Sequence, residues 1–175
     1  MSQTANPRST PAVTVRPLQP GDEAEMRSLF CQTVHQVNSR DYSPEQIQVW
    51  ASSANDEARW RALPQNSQVL VAEQTGKVVG FTNLEADGHI DMFFVHHQHQ
   101  GQGVGKRLMQ SLETLAQAQQ LNRLYSEVSI TARPFFLRHG FDVVTEEQVE
   151  RQGIWFTRFI MERSGPFVSR MTQEP

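Results

Sequence analysis

Cysteine is almost absent from this chain: Cys31 stands alone among 175 residues. That excludes an internal disulfide and a cysteine metal cluster, and the composition suits a reducing, cytoplasmic setting. Long apolar runs are missing too. None approaches the roughly 18 residues of a membrane span, so no membrane partner is expected. Residues 1–11 are polar and lack the apolar stretch of a secretory signal, so they are expected to be a disordered tail, as are residues 164–175. Between them, residues 12–163 suit one domain. Positive charge is not in excess. A formal net charge of -3 gives no bulk attraction to nucleic acid, and none is expected as a partner. There is no internal repeat and no low-complexity block.

What is present is a change of period along the chain. Residues 13–18 alternate and read as a first strand. Asp22 with Glu25 has the spacing of a capping box, and Met26, Leu29, Phe30, Val34 and Val37 follow at helical spacing. Ser43 before Pro44 restarts a helix. A third helical stretch near residues 56–63 is predicted to stop at Pro64. Residues 68–73, 78–85 and 89–96 are β-rich runs separated by short Gly-containing turns, which argues for an antiparallel meander. Residues 103–120 form an amphipathic helix through Val104, Leu108, Leu112, Leu115 and Ala116. A strand at 124–129, a short helix at 131–138 stopped by Gly140, and a hairpin around Gln152-Gly153 complete the order. The class is α/β, with a mixed sheet.

The segment HQGQGVGK, residues 99–106, lies between a strand and that amphipathic helix. Its alternate glycines clear side chains from the backbone, so its amides can close on an anion backed by the helix's positive end. Lys106 adds a cation, and a phosphate or pyrophosphate is the natural ligand. A Walker loop does not fit: Gln100 stands where its first glycine belongs, and Arg107 replaces the Ser/Thr that would hold magnesium. The dinucleotide fingerprint fails because Gly101, Gly103 and Gly105 are spaced two apart. Gln100, Gly103 and Gly105 instead spell Q-x-x-G-x-G. In this the chain resembles the GCN5-related N-acetyltransferases (GNAT), from about Val13 to Met161.

The resemblance extends to Ile90-Asp-Met-Phe-Phe-Val95, similar to the family's fourth strand, and to Ala132-Arg-Pro-Phe-Phe-Leu-Arg-His-Gly-Phe141, similar to its A-x-x-F-Y-x-x-x-G-F segment. Ser129-Ile-Thr-Ala-Arg-Pro-Phe-Phe136, and Tyr42-Ser-Pro-Glu-Gln-Ile47 with Trp50, further resemble a group of uncharacterised bacterial members. It implies a mostly antiparallel sheet of six to seven strands flanked by helices, with acetyl-CoA as co-substrate and no metal. It also implies direct transfer of the acetyl group to a primary amine of a small molecule or peptide. Gln100, Gly101, Gln102, Gly103, Val104, Gly105 and Lys106 are then expected at the coenzyme's pyrophosphate, with pantetheine between the fourth and fifth strands beside Phe93 and Val95. An amide near Phe94 or Val95 is expected to polarise the thioester carbonyl. Where many members have a proton-donating tyrosine this chain has Phe136, and where many have asparagine it has Ser129. Ser129 is therefore the candidate donor, set against its reading as a strand-end serine bonded to backbone. A non-catalytic acyl-CoA sensor is the alternative that Phe136 motivates; a tRNA-directed enzyme lacks the positive surface it would need.

Period two places His89, Asp91 and Phe93 on one strand face, which the resemblance turns toward the acceptor. Asp91 is the first candidate base, then His89, then Glu85. Tyr42, Trp50 and Trp60 either line an acceptor pocket or pack on the sheet. His96, His97 and His99 read as loop residues rather than zinc ligands, and Cys31 as core. The closing hairpin offers an edge for a homodimer.

Overall fold

The computed structural model describes residues 10–167. Strand β1 (Thr14–Pro17) precedes three helices, α1 (Asp22–Gln36), α2 (Pro44–Ser52) and α3 (Glu57–Asn66). The meander β2 (Ser67–Gln74), β3 (Lys77–Glu85) and β4 (Phe93–Val95) leads through a 3-10 turn at His97–His99 into α4 (Val104–Ala118). Strand β5 (Arg123–Ser129), helix α5 (Arg133–Arg138) and the hairpin of β6 (Asp142–Arg151) and β7 (Ile154–Ser164) close the chain. The described strands form two antiparallel sheets, ordered β1-β2-β3-β4 and β5-β7-β6. A lone parallel bridge from His89 to Tyr125 joins them. This is the expected α/β architecture, a seven-stranded assembly with helices on both faces.

The helices bury the stripes their spacing dictates. Met26, Phe30 and Val34 of α1 pack with Trp60 of α3 against Val71 and Phe81 on one side. Met109 and Leu112 of α4 pack with Val128, Phe136, Phe141 and Met161 on the other. Trp60 is 2% exposed, stacks edge-on to Phe30 at 5.6 Å, and donates its indole N–H to the Ser53 carbonyl at 3.1 Å. It is core, whereas Tyr42 and Trp50 reach the cleft described below. Cys31 is half-buried against the first of these clusters. No helix among the described residues is long and apolar enough to cross a membrane.

Four local expectations change. Asp22 and Glu25 form no capping box: the helix is capped by Gly21, in the left-handed region. Asp22 instead binds the Arg16 guanidinium at 2.7 Å, and Glu25 accepts from the Val78 amide at 3.0 Å. Tertiary partners have outcompeted the local cap. Pro64 does not end α3, which runs on to Asn66; a proline in the last turn loses one backbone bond, tolerable at a helix end. The third run of the meander is not one straight strand. Thr82 Oγ1 and the Asn83 amide both donate to the Met92 carbonyl, while the Met92 amide turns to Asn83 Oδ1. This breaks the ladder and limits β4 to three residues. Finally, residues 164–167 belong to the packed body rather than to a tail. Ser164 pairs with Arg123 and Phe167 is 2% exposed in the second cluster; the rest of that expected tail, and residues 1–9, lie outside the described residues.

Candidate active site

Strands β4 and β5 are neighbours joined at one end only. Ile90 N–H donates to the Tyr125 carbonyl at 2.9 Å and Tyr125 N–H to the Gly88 carbonyl at 3.1 Å. Beyond Ile90 no ladder connects them, and a cleft of about 550 Å3 is lined by Phe93, Phe94 and Val95 on one side and Val128 and Ser129 on the other. Register decides which amides face it. His96 N–H donates to Val79 and Asn83 N–H to Met92, with Phe94 opposite Phe81. Antiparallel alternation therefore points the Phe94 amide at β3 and the amides of Phe93 and Val95 into the cleft.

The cleft continues to the loop before α4, where His99, Gln100, Gly101, Gly103, Gly105 and Lys106 line it. Gln100 Nε2 donates to the Val95 carbonyl at 2.7 Å and Gln102 Nε2 to the Gln98 carbonyl at 3.0 Å. Both side chains brace the turn and leave the backbone amides exposed to a ligand. Gly103 is the N-cap at φ 83, a conformation that side chains disfavour. Gly105 is required for space: a Cβ there would lie 2.9 Å from the Phe135 ring. The first turn of α4 carries no acidic side chain, so nothing opposes an anion at its positive end. Val104 is 1% exposed and packs in the core; it can offer only its amide. Gln102 does not line the cleft.

Of the expected catalytic residues, Asp91 and Ser129 line the cleft and His89 does not. Asp91 lines the cleft and pairs with Arg59 at 3.3 Å. His89 sits instead between two carboxylates. Its Nε2 lies 2.6 Å from Glu127 and its Nδ1 3.2 Å from Glu85. The bond to Glu127, helped by Glu85 and opposed by burial, raises the imidazole pKa to about 9. At neutral pH His89 thus carries its proton, and it holds the Glu127 carboxyl below its usual range. Ser129 Oγ lines the cleft and accepts from the Ala132 amide at 3.1 Å, as its structural reading anticipates; its own proton is not used in that bond. Close by, Thr131 Oγ1 is buried without a protein partner.

A sequence profile of the Acetyltransferase (GNAT) domain matches residues 38–163. The chain belongs to the GNAT acetyltransferase family. It is 38% identical over 149 residues to the uncharacterized N-acetyltransferase YafP of Escherichia coli K12, spanning 85% of this chain and 94% of that one. A GCN5-related N-acetyltransferase from Rhodopseudomonas palustris superposes with a TM-score of 0.82 at 35% identity, covering 92% of this chain and 99% of that one. The PaiA N-acetyltransferase of Thermoplasma acidophilum, solved with coenzyme A, shares the fold with a TM-score of 0.71 at 17% identity, over 88% of this chain and 99% of that one.

In this GNAT enzyme Phe136 is 2% exposed, wedged between Phe93 at 5.7 Å and Phe141 at 5.0 Å. It contributes an apolar wall and no proton. The far end of the cleft is built by residues that sequence reasoning missed: Arg59, Glu127, Arg151 and Arg158. Period two along β5 would have put Glu127 with Ser129 on one face; the arginines carried no local signal. The Tyr42 hydroxyl ties this end together, donating to the Thr157 carbonyl and accepting from the Ile130 amide, both at 2.9 Å. Among the described residues, no group of three or more His, Cys, Asp or Glu is arranged to hold a metal. His96 and His97 simply stack, 4.4 Å apart.

Proposed function

We propose that this acetyltransferase moves an acetyl group from acetyl-CoA directly onto a primary amine of a small molecule or peptide. The observation that carries the reading is the open edge of β4, whose Phe93 and Val95 amides face a cleft continuous with the glycine loop. Such an edge suits an amide-bearing pantetheine arm, paired as an added strand would be. The amides of residues 101–106, with Lys106, suit a pyrophosphate. Phe135 and Phe136 give the arm an apolar wall. When bound, acetyl-CoA supplies the acetyl group as an activated thioester.

The chain's own groups then divide the work. The Val95 amide polarises the carbonyl; Phe94, expected as its equal, has its amide committed to β3. Asp91, in an ion pair with Arg59 at 3.3 Å, is the base that accepts the ammonium proton. Glu127 attracts that ammonium, and His89, already protonated, serves as a positioning residue behind it. Ser129 donates to the departing thiolate, with the Thr131 hydroxyl beside it in the same wall.

A thiol-release screen with acetyl-CoA against polyamines, aminoglycosides, amino acids, arylalkylamines and N-terminal peptides tests the reading. Saturable release with at least one class is expected. Acetyl-CoA binding with background release across the panel would establish instead the sensor that Phe136 suggests.

A further inference from the structure

Three pairs join charged groups at the acceptor end of the cleft. Arg59 pairs with Asp91 at 3.3 Å, Glu127 with the protonated His89 at 2.6 Å, and Arg158 with Glu147. Arg151 also lines the cleft, and among the described residues it forms no ion pair or side-chain hydrogen bond. It stands at the last position of β6, opposite Ile154 across the Gln152-Gly153 turn. Gln46 of α2 donates to the Trp155 carbonyl at 2.7 Å and clamps that hairpin tip to the helices. The Arg151 side chain stays open to solvent; partial desolvation against the cleft, then the neighbouring Arg59 and Arg158, push the guanidinium below its ordinary value, with Asp91 and Glu127 opposing.

A solvent-open guanidinium beside two others is free to take an anion. Its planar fork matches a carboxylate with two parallel bonds. The same end of the cleft offers the Asp91 and Glu127 carboxylates to an ammonium. We infer that the acceptor is an amine that also bears a carboxylate, an amino acid or a peptide ending in one, with Arg151 binding the carboxylate. This rests on the acetyl transfer proposed above and narrows it: a polyamine or aminoglycoside would place further positive charge against the surplus guanidinium.

The test compares kcat/KM for amino acids, their carboxamides and cationic polyamines by thiol release, in the wild-type chain and in Arg151→Gln, Arg151→Lys and Arg151→Glu. Acetyl-CoA affinity is measured in parallel. A charge-assisted pair predicts a preference of at least about tenfold for the carboxylate over its carboxamide. Arg151→Gln should collapse that ratio chiefly through KM, Arg151→Lys should restore part of it, and Arg151→Glu should turn preference toward polyamines. Thiol release with carboxamides or polyamines as efficient as with carboxylates overturns the inference and leaves acetyl transfer standing. An unchanged ratio in Arg151→Gln overturns it as well. Background release with every amine refutes both.

Discussion

Nε2 of His89 lies 2.6 Å from Oε2 of Glu127, across the junction between the two sheets. The pair sits where β4 and β5 begin to part, so one bond both closes the wedge and sets the charge of a cleft carboxylate. Because His89 is raised from 6.5 to about 9, its contribution to stability is full below pH 6.5 and is lost as pH rises through 9. Glu127 is shifted down from 4.5, so its share is present above that value and fades as pH falls through its folded value. Thermal melts of wild type and His89→Gln should differ most near pH 6 and converge above pH 9. A gap that persists at pH 10 would assign the stabilisation to packing on Tyr125 instead.

Gly103→Glu should abolish coenzyme binding by putting a carboxylate where phosphate is expected. Gly103→Ala imposes the same backbone strain at φ 83 without the charge, and should retain measurable affinity. Titration calorimetry with CoA separates the two. Retained binding in the glutamate variant within a few-fold would contradict the loop assignment.

Asp91→Asn should lower turnover chiefly below the acceptor amine's own pKa, where proton removal is needed, by about 10²–10⁴-fold. An unchanged pH–rate profile would move the base role to Glu127 or to water.

Ser129→Ala should reduce kcat while leaving the acetyl-CoA dissociation constant near its wild-type value. If only the double variant with Thr131→Val shows the loss, the buried Thr131 hydroxyl shares the proton transfer. Full activity in both variants would mean that the thiolate leaves without a protein donor.

Tyr42→Phe removes the hydroxyl that joins the Thr157 carbonyl to the Ile130 amide. The orphaned groups should cost about 1–3 kcal/mol of stability. Denaturant unfolding reads this directly; a midpoint equal to wild type would show that water replaces the hydroxyl.

Much of this protein is written locally. The amphipathic stripe of α4, the glycine loop before it, the Ser43-Pro44 helix start and the Gln152-Gly153 hairpin turn each depend on neighbours a few residues apart. Periodicity and backbone preference suffice to recover them, and with them the α/β class and the loop that carries the family resemblance. What the sequence alone did not determine depends on contacts between distant segments. Asn83 interrupts the third run of the meander through a bond from the Met92 amide nine residues away. Glu127 meets His89 across 38 residues and Arg59 meets Asp91 across 32. No spacing rule reaches that far, because these pairings arise only once helices and sheets have packed. The tertiary structure alone therefore decided which carboxylates face the cleft, which imidazole keeps its proton, and which cations those carboxylates pair with.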